Sequence, residues 1–389
     1  MASSGRHFPS HKSPSSSVAN ANANAYEELL ASLTRINTYN PPVQTCSTGW
    51  TFHGLYYGPT SVAYLFFRLS HLYPDLVFKG QSLLDWAQAY LDLGQSRGRR
   101  ESVGVDANHC GIGNEVLAQL AIRAAMEQDP SLVQELCSHE PVINGSGGSD
   151  EWLYGRAGYL YHLRLARSSF GEGSKASDLI ETTIRKTIRR IWASKQPWTW
   201  HGKPYVGAAH GTLGILCQLV LSAPSCAQTV EPLLSWLLET VQLPSGNFPS
   251  SLPSTGGSDK LVQFCHGAPG AVLALRPLRR HFPPSLQVLV DAAVTAAQKD
   301  VWERGLLTKP PCLCHGIAGN ALALDDESEF QHFLNCMSTE ALESIGWLNE
   351  AGRDDHFVGL YTGEAGRAWA WAVADRGLEE KPCIGFNDL

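Results

Sequence analysis

The chain lacks any long hydrophobic run. Its longest apolar stretches, such as AYLFFRL and ILCQLVL, fall far short of the roughly 20 residues that a membrane-spanning helix needs, so no segment is expected to cross a bilayer. Charge is also scarce. Asp, Glu, Lys and Arg make up 17% of the 389 residues, and 30 basic against 37 acidic side chains leave −7 with no long basic block, which argues against nucleic acid as the main partner. The N-terminus has no continuous apolar stretch of the kind a secretory signal requires. MASSGRHFPSHKSPSSSVANANANA reads instead as a disordered tail over residues 1–25, leaving 26–389 as one folded domain. Period-two alternation is sparse and no Asn-Gly turn joins two such runs, so strands are not expected. The ten cysteines are scattered, and several sit inside apolar helical patterns, as Cys217 does in GILCQLVL. That distribution does not suit a disulfide framework. The expected compartment is the reducing cytosol, where clustered cysteines point to metal binding or catalysis. Cys46, Cys137, Cys217, Cys226, Cys336 and Cys383 read as ordinary small residues, buried or at the surface.

What the chain does have is a repeat. A Gly, usually preceded by Tyr, Cys or His, is followed three positions later by a second small residue and then by an apolar run. The copies begin at Gly58, Gly111, Gly155, Gly211, Gly267, Gly316 and Gly363, 44 to 56 residues apart. Each interval has room for two helices and two loops. Between the Gly elements lie amphipathic patterns: SLLDWAQAYLDL, PSLVQELC, DLIETTIRKTIRRIW, VEPLLSWLLETV, SLQVLVDAAVTAAQKDVW and EFQHFLNCMSTEALESI. Their apolar residues recur at helical spacing, as in Leu179, Thr183, Ile184 and Ile188, with charges on the other face. The helices opened by the Gly elements are shorter and apolar on more sides, which suits an inner ring packed on both faces. The expected fold is all-α: an α/α toroid of seven helical hairpins, with seven inner and seven outer helices. An open solenoid is the alternative. Closure is favoured because chemically distinctive residues recur at one place in several repeats, and a ring points them at one cavity.

Those residues are Cys265-His266-Gly267 and Cys314-His315-Gly316. Two Cys-His copies opening inner helices of adjacent repeats set sulfur and imidazole donors across a short gap. Zinc takes such donors tetrahedrally, and three protein ligands with one open position mark a catalytic site. The separation of the two copies is not that of a zinc finger. His210, in GAAHGTLG, holds the corresponding place in the preceding repeat. A neutral imidazole beside such a site can exchange a proton near neutral pH.

Four blocks in order, DEWLYGRAGYLYHL, WHGKPYVGAAHGTLGI, LVQFCHGAPGAVLAL and GLLTKPPCLCHGIAGNALAL, make the chain resemble the lanthionine synthetase cyclase-like family, LanC and its eukaryotic LanC-like relatives. The likeness runs from about residue 26 to the terminal GFNDL. It implies a seven-hairpin toroid with one zinc on Cys265, Cys314 and His315, leaving His266 outside the ligand set. It also implies thiol chemistry. Bacterial members add peptide cysteines to dehydroalanine or dehydrobutyrine, and eukaryotic relatives bind glutathione and can add it to such residues in proteins. By the same resemblance His210 matches the acid that protonates Cα. Glu151 matches an acidic position near it, to orient the imidazole or to cap its own helix. Lys309 matches a lysine tied to glutathione recognition, where a cation meets a carboxylate. The implied partners are glutathione and dehydrated proteins or peptides, formerly phosphorylated on Ser or Thr. Two positions depart from the pattern, Ser61 and Thr362, and both lie away from the implied ligands.

A glutathione-using transferase or lyase is therefore the leading expectation. The alternative is a non-catalytic zinc and glutathione binder acting as an adaptor for kinase or membrane partners, with peripheral attachment at the plasma membrane left open. A zinc prenyltransferase would share the logic of a helical toroid around a thiol-activating zinc, but seven Gly elements do not suit a six-hairpin ring. Carbohydrate-cleaving toroids need a pair of carboxylates, whereas the residues expected in this cavity are Cys and His.

Overall fold

The computed structural model describes residues 5–10, 23–43, 50–101, 103–255, 257–348 and 357–389, with the backbone alone over 95–101. Seven inner helices begin at the Gly elements: Pro59–Leu72, Glu115–Glu127, Arg156–Arg167, Thr212–Ser222, Ala268–Leu278, Ile317–Ala321 and Glu364–Asp375. The last packs against the first, so the ring closes into the expected α/α toroid. The one sheet among the described residues is a two-residue pair, Val77–Phe78 with Gln81–Ser82.

Six of the inner helices start directly after their first Gly. The copy at Gly111 differs, because its fourth residue is Asn114. The Asn114 side chain accepts the Leu117 N–H at 3.0 Å and, as a side-chain N-cap, starts the helix three residues later. The second glycine has a steric role that repeats. A Cβ on Gly214 would lie 1.9 Å from the carbonyl oxygen of Ala208, and one on Gly319 would lie 1.9 Å from that of Leu313. In both cases the oxygen belongs to the loop entering the helix, six residues back, so that loop folds flat onto the first turn only where no side chain intervenes. In the first repeat Ser61 takes this place. Its hydroxyl donates to Gly58 O at 2.7 Å and accepts the Leu360 N–H at 3.3 Å, tying the first repeat to the seventh.

The sequence patterns give six outer helices; the seventh is the N-terminal helix Ala25–Tyr39, which packs on Glu364–Asp375 and completes the last hairpin with the start of the chain. A buried ionic cluster holds this seam. Glu364 pairs with Arg35 at 2.7 Å and with Arg367 at 2.8 Å, and Arg367 reaches Glu28 at 2.8 Å. Removing one member takes a charged partner from a group that is mostly buried, which costs more than the intact cluster contributes. Two outer patterns break. EFQHFLNCMSTEALESI becomes Glu327–Cys336 and Thr339–Ser344, because the Ser338 side chain caps a second helix. VEPLLSWLLETV passes from α-helix into a π-helical turn at Leu237–Val241. On Lys175–Ala193 the buried stripe runs through Ala176, Ile180, Thr183, Ile184, Thr187 and Ile188, whereas Leu179 is exposed. Cys137, Cys217, Cys226, Cys336 and Cys383 are buried and form no disulfide, while Cys46 lies outside the described residues. Within the stretch expected to be a tail, Phe8 N–H donates to Leu306 O at 2.7 Å and Thr308 N–H to Arg6 O at 3.1 Å.

At the centre, aromatic rings from non-adjacent repeats meet. Trp152 lies 5.0 Å from Tyr361 and 5.5 Å from Phe264, and Phe264 lies 5.1 Å from Phe386, measured between ring centroids. Such pairs can form only across the axis of a closed ring. The C-terminal segment completes this plug: Asp388 accepts from Tyr161 at 2.8 Å and from Tyr64 at 3.0 Å, and it pairs with Arg68 at 3.2 Å.

Candidate active site

The loops that enter the inner helices are stitched into a belt of backbone hydrogen bonds. Leu55 N–H donates to Ile112 O, Ile112 to Trp152, Trp152 to Ala209, Ala209 to Cys265, Cys265 to Cys314, Cys314 to Tyr361 and Tyr361 to Tyr56. The belt returns to within one residue of its start. Equivalent positions of the seven repeats are thereby fixed at one level, directly above the aromatic plug, since Phe264 precedes Cys265 and Tyr361 O accepts from Cys314. The residue after the belt position is a histidine in three successive repeats: His210, His266 and His315.

Cys265 and Cys314 are both buried, and their side chains are hydrogen-bonded to each other. The pair is asymmetric. The Cys265 thiol is held below its usual range, first by the hydrogen bond from Cys314, with help from the Gln263 amide and the Lys309 charge. Cys314 is pushed up, first by that same bond and then by burial. Gln263 donates to Cys265 Sγ at 3.0 Å, and the Lys309 ammonium donates to Gln263 Oε1 at 3.2 Å. On the other flank the Tyr56 hydroxyl donates to Cys314 Sγ at 3.0 Å while its ring stacks on Tyr361. His315 is half-buried, and burial followed by the Lys309 charge lowers its basicity. Among the described residues no three His, Cys, Asp or Glu side chains are gathered closely enough to hold a metal ion as they stand. The donor chemistry nevertheless fits zinc: two buried thiols in contact, with an imidazole on the next residue, are the soft and borderline donors that zinc selects.

His210 sits on the neighbouring belt loop. Its Nδ1 donates to Glu151 Oε2 at 2.9 Å, and its ring stacks on Trp200 with centroids 3.8 Å apart and planes 5° from parallel. Glu151 also accepts the backbone N–H groups of Leu153 at 2.8 Å and Tyr154 at 2.6 Å. The carboxylate therefore makes the imidazole contact, while its second pair of bonds ties its own loop and does not cap the helix Arg156–Arg167, whose N-cap Gly155 receives no side-chain bond. Trp200 is presented by a tight turn in which Trp200 and Lys203 exchange both backbone hydrogen bonds at 3.0 Å, with His201 and Gly202 at φ 47° and 73°. That His-Gly turn is a two-residue hairpin of the left-handed kind. His266 packs between Tyr205 and His210, its basicity lowered to about 4 by burial and by the adjacent imidazole.

The lanthionine synthetase C-like protein family matches residues 49–374. The chain belongs to that family. This LanC-like chain is 31% identical over 312 residues to a Danio rerio protein named glutathione S-transferase LANCL1, covering 76% of the chain and 72% of that relative. It is 28% identical over 251 residues to the LanC-like protein GCL1 of Arabidopsis thaliana, covering 59% of the chain and 56% of that relative.

Reading the LanC-like sequence alone misses three contributors to this site. Tyr56 lies two residues ahead of Gly58, in a copy that carries no Cys-His. Gln263 shows only as the residue two before Cys265. Trp200 could be found from the His-Gly pair that follows it, had that pair been read as a turn. The second-copy asparagine has a further counterpart at the Cys265 loop: Gly267 offers no side-chain cap, so Asn247 supplies one from the preceding loop by accepting the Ala268 N–H at 2.7 Å. No described helix is long and apolar enough to cross a membrane.

Proposed function

We propose that this protein adds the thiol of glutathione to dehydroalanine or dehydrobutyrine residues of proteins or peptides, using one zinc ion held by Cys265, Cys314 and His315. What carries the reading is the Glu151–His210 pair, fixed at 2.9 Å on the belt loop adjoining the Cys265 loop. The chemistry zinc supplies when bound is a lowered thiol pKa, giving thiolate at neutral pH. The chain's own residues do the rest. Lys309 meets a glutathione carboxylate, and Gln263 keeps that ammonium beside the sulfur pair. The glutathione sulfur forms a bond to Cβ of the dehydrated residue, the alkene electron pair moves toward Cα and its carbonyl, and the His210 imidazolium delivers a proton to Cα. The proton lost by the thiol balances the one delivered, so the reaction is a net addition with no leaving group. Glu151 fixes the His210 tautomer by accepting from Nδ1 and leaves Nε2 to carry the transferred proton. The plane of Trp200 stops the ring from rotating. The name of the Danio rerio relative supports glutathione as the thiol, and the reducing cytosol, where glutathione is the thiol pool, is the matching compartment.

The test combines metal analysis of the purified protein with mass spectrometry of a dehydroalanine peptide incubated with glutathione. Zinc together with a glutathione adduct formed above the uncatalysed rate supports the enzyme. Zinc and glutathione binding without adduct overturns catalysis and leaves a binding module.

A further inference from the structure

Beside the His210 stack the surface is hollowed into two adjoining cavities. The larger, about 550 Å³, is lined by Asn108, His109, Ser149, Tyr154, Trp200 and His201. The smaller, about 220 Å³, continues from it past Gly111 and Gly113 toward Trp50 and Phe52, and His109 and Tyr154 line both. The trough therefore begins on Tyr154 and Trp200, which lie in parallel planes with the imidazole of His210. We infer that this trough holds the polypeptide segment flanking the dehydrated residue of the acceptor, and that it selects segments without charged or phosphorylated neighbours.

Three observations lead there. The first is where the trough lies. Lys309 belongs to the sixth repeat and the trough to the loops of the first to fourth, its Trp200 end separated from Lys309 by His210 of the fourth repeat and Cys265 of the fifth. Glutathione and the acceptor then approach the reacting atoms from opposite sides. The second is bare backbone. Gly148 and Gly202 line the larger cavity at φ 84° and 73°, within turns where a side chain would be strained, and an extended chain can come close to their peptide groups. The third is charge. Among the described residues no Lys, Arg or Asp lines either cavity. The one carboxylate among the described lining residues, Glu115, is already engaged by Gly54 N–H at 2.9 Å and by the Thr60 hydroxyl and the Gln119 amide. His109 is engaged by Asp106 at 3.0 Å. Among the described lining residues a phosphate would meet no guanidinium or ammonium group, the partners that make phosphate sites. Rings and neutral polar groups instead suit apolar and small polar side chains.

This inference rests on the thiol-addition reading, so its test uses two acceptors. One is a seven-residue peptide with dehydroalanine at its centre and neutral flanks; the other is the bare N-acetyl dehydroalanine methylamide, which has no flanks. Asn108 and Thr199 are exposed, line the larger cavity and touch neither His210 nor Glu151. With the full zinc-loaded chain, Asn108→Trp and Thr199→Trp should each raise KM for the peptide about tenfold, the scale of one lost favourable contact region. KM for glutathione and the rate with the bare acceptor should stay within about twofold, which also shows that the variants fold. A phosphoserine placed beside the dehydroalanine should raise KM in the wild type. If the wild type uses both acceptors alike, if the Trp variants leave the peptide KM unchanged, or if the phosphorylated peptide is preferred, the trough is not the acceptor site although the enzyme stands. A wild type that modifies neither acceptor overturns the enzymatic reading and the trough together.

Discussion

Glu151 and His210 come from different repeats, yet their carboxylate and imidazole meet at 2.9 Å because the belt bonds Trp152 and Leu153 N–H to Ala209 O. The residues on either side of the pair are thus locked before the side chains pack. If His210 delivers the Cα proton, His210→Ala retains zinc and glutathione but loses roughly 10²–10⁴-fold in adduct formation, the usual contribution of a positioned acid. Glu151→Gln lowers the rate too, since an amide can present its NH₂ where Nδ1–H now donates. Loss of metal, glutathione and activity together in His210→Ala, measured by metal content, ligand titration and rate, would mark the histidine as a packing residue instead.

Metal content tests the sulfur pair. Wild-type protein is expected to carry about one zinc per chain, and Cys265→Ala or Cys314→Ala to lose it, because three protein ligands leave none to spare. Tyr56→Phe removes only the hydroxyl that donates to Cys314 Sγ and should keep the metal. Full zinc in both cysteine variants rules out the assignment.

Lys309 separates substrate from metal. Lys309→Ala should weaken glutathione binding, read by calorimetry, while zinc stays bound, because its ammonium hydrogen-bonds Gln263 and is not one of the proposed ligands. Gln263→Leu should reproduce part of the loss, since Lys309 then has no acceptor holding it at the site. Unchanged glutathione affinity in Lys309→Ala removes it from the substrate site.

Much of this architecture was written in short-range signals. The seven Gly elements mark the inner helices, and the register of Ala209, Cys265 and Cys314 follows from counting back from each Gly. What could not be read was long-range. Ala25–Tyr39 carries an ordinary amphipathic pattern, and nothing local says that it packs on a helix more than 300 residues away. The contact between Tyr56 and Cys314 likewise exists only because the ring closes. Of the pattern Leu179, Thr183, Ile184 and Ile188 only Leu179 is misplaced, for a local reason: Leu179 and Ile180 are adjacent apolar residues, and composition alone does not say which of the two faces inward.

The flat seating of the belt loops depends on the second glycine in the five elements that carry one, Gly158, Gly214, Gly270, Gly319 and Gly366. Gly214→Ala and Gly319→Ala place a methyl against a backbone oxygen that cannot move without breaking the belt, so each should lower stability by about 1–3 kcal/mol or more. Ser61→Ala removes only a hydroxyl that bridges two repeats and should cost about 1 kcal/mol. Thermal unfolding of the three variants decides it. A Gly319→Ala protein as stable as wild type would mean that the loop has room to lift.

Asp300 links the outer ring to the Cys265 loop and makes stability depend on pH. Its Oδ1 accepts from Arg304 at 2.6 Å, Arg304 also holds Asp259, and Asp259 positions Asn247, which caps the helix after Cys265. Its Oδ2 is buried without a partner. Burial therefore outweighs the pull of Arg304 and raises the carboxyl from 3.8 to about 6. A raised folded-state pKa means that the native protein holds this proton more tightly than the unfolded chain. The resulting stabilisation is complete below the ordinary value near 4 and is lost as pH rises through about 6. Asp300→Asn keeps an acceptor for Arg304 but can never ionise. The difference in unfolding midpoint, variant minus wild type, should then grow between pH 4 and 6 and level off above pH 7, in the variant's favour. A gap that stays constant across that range would show that Arg304 compensates the buried charge fully, and a gap that shrinks as pH rises would show that the ionised pair is what the native state prefers.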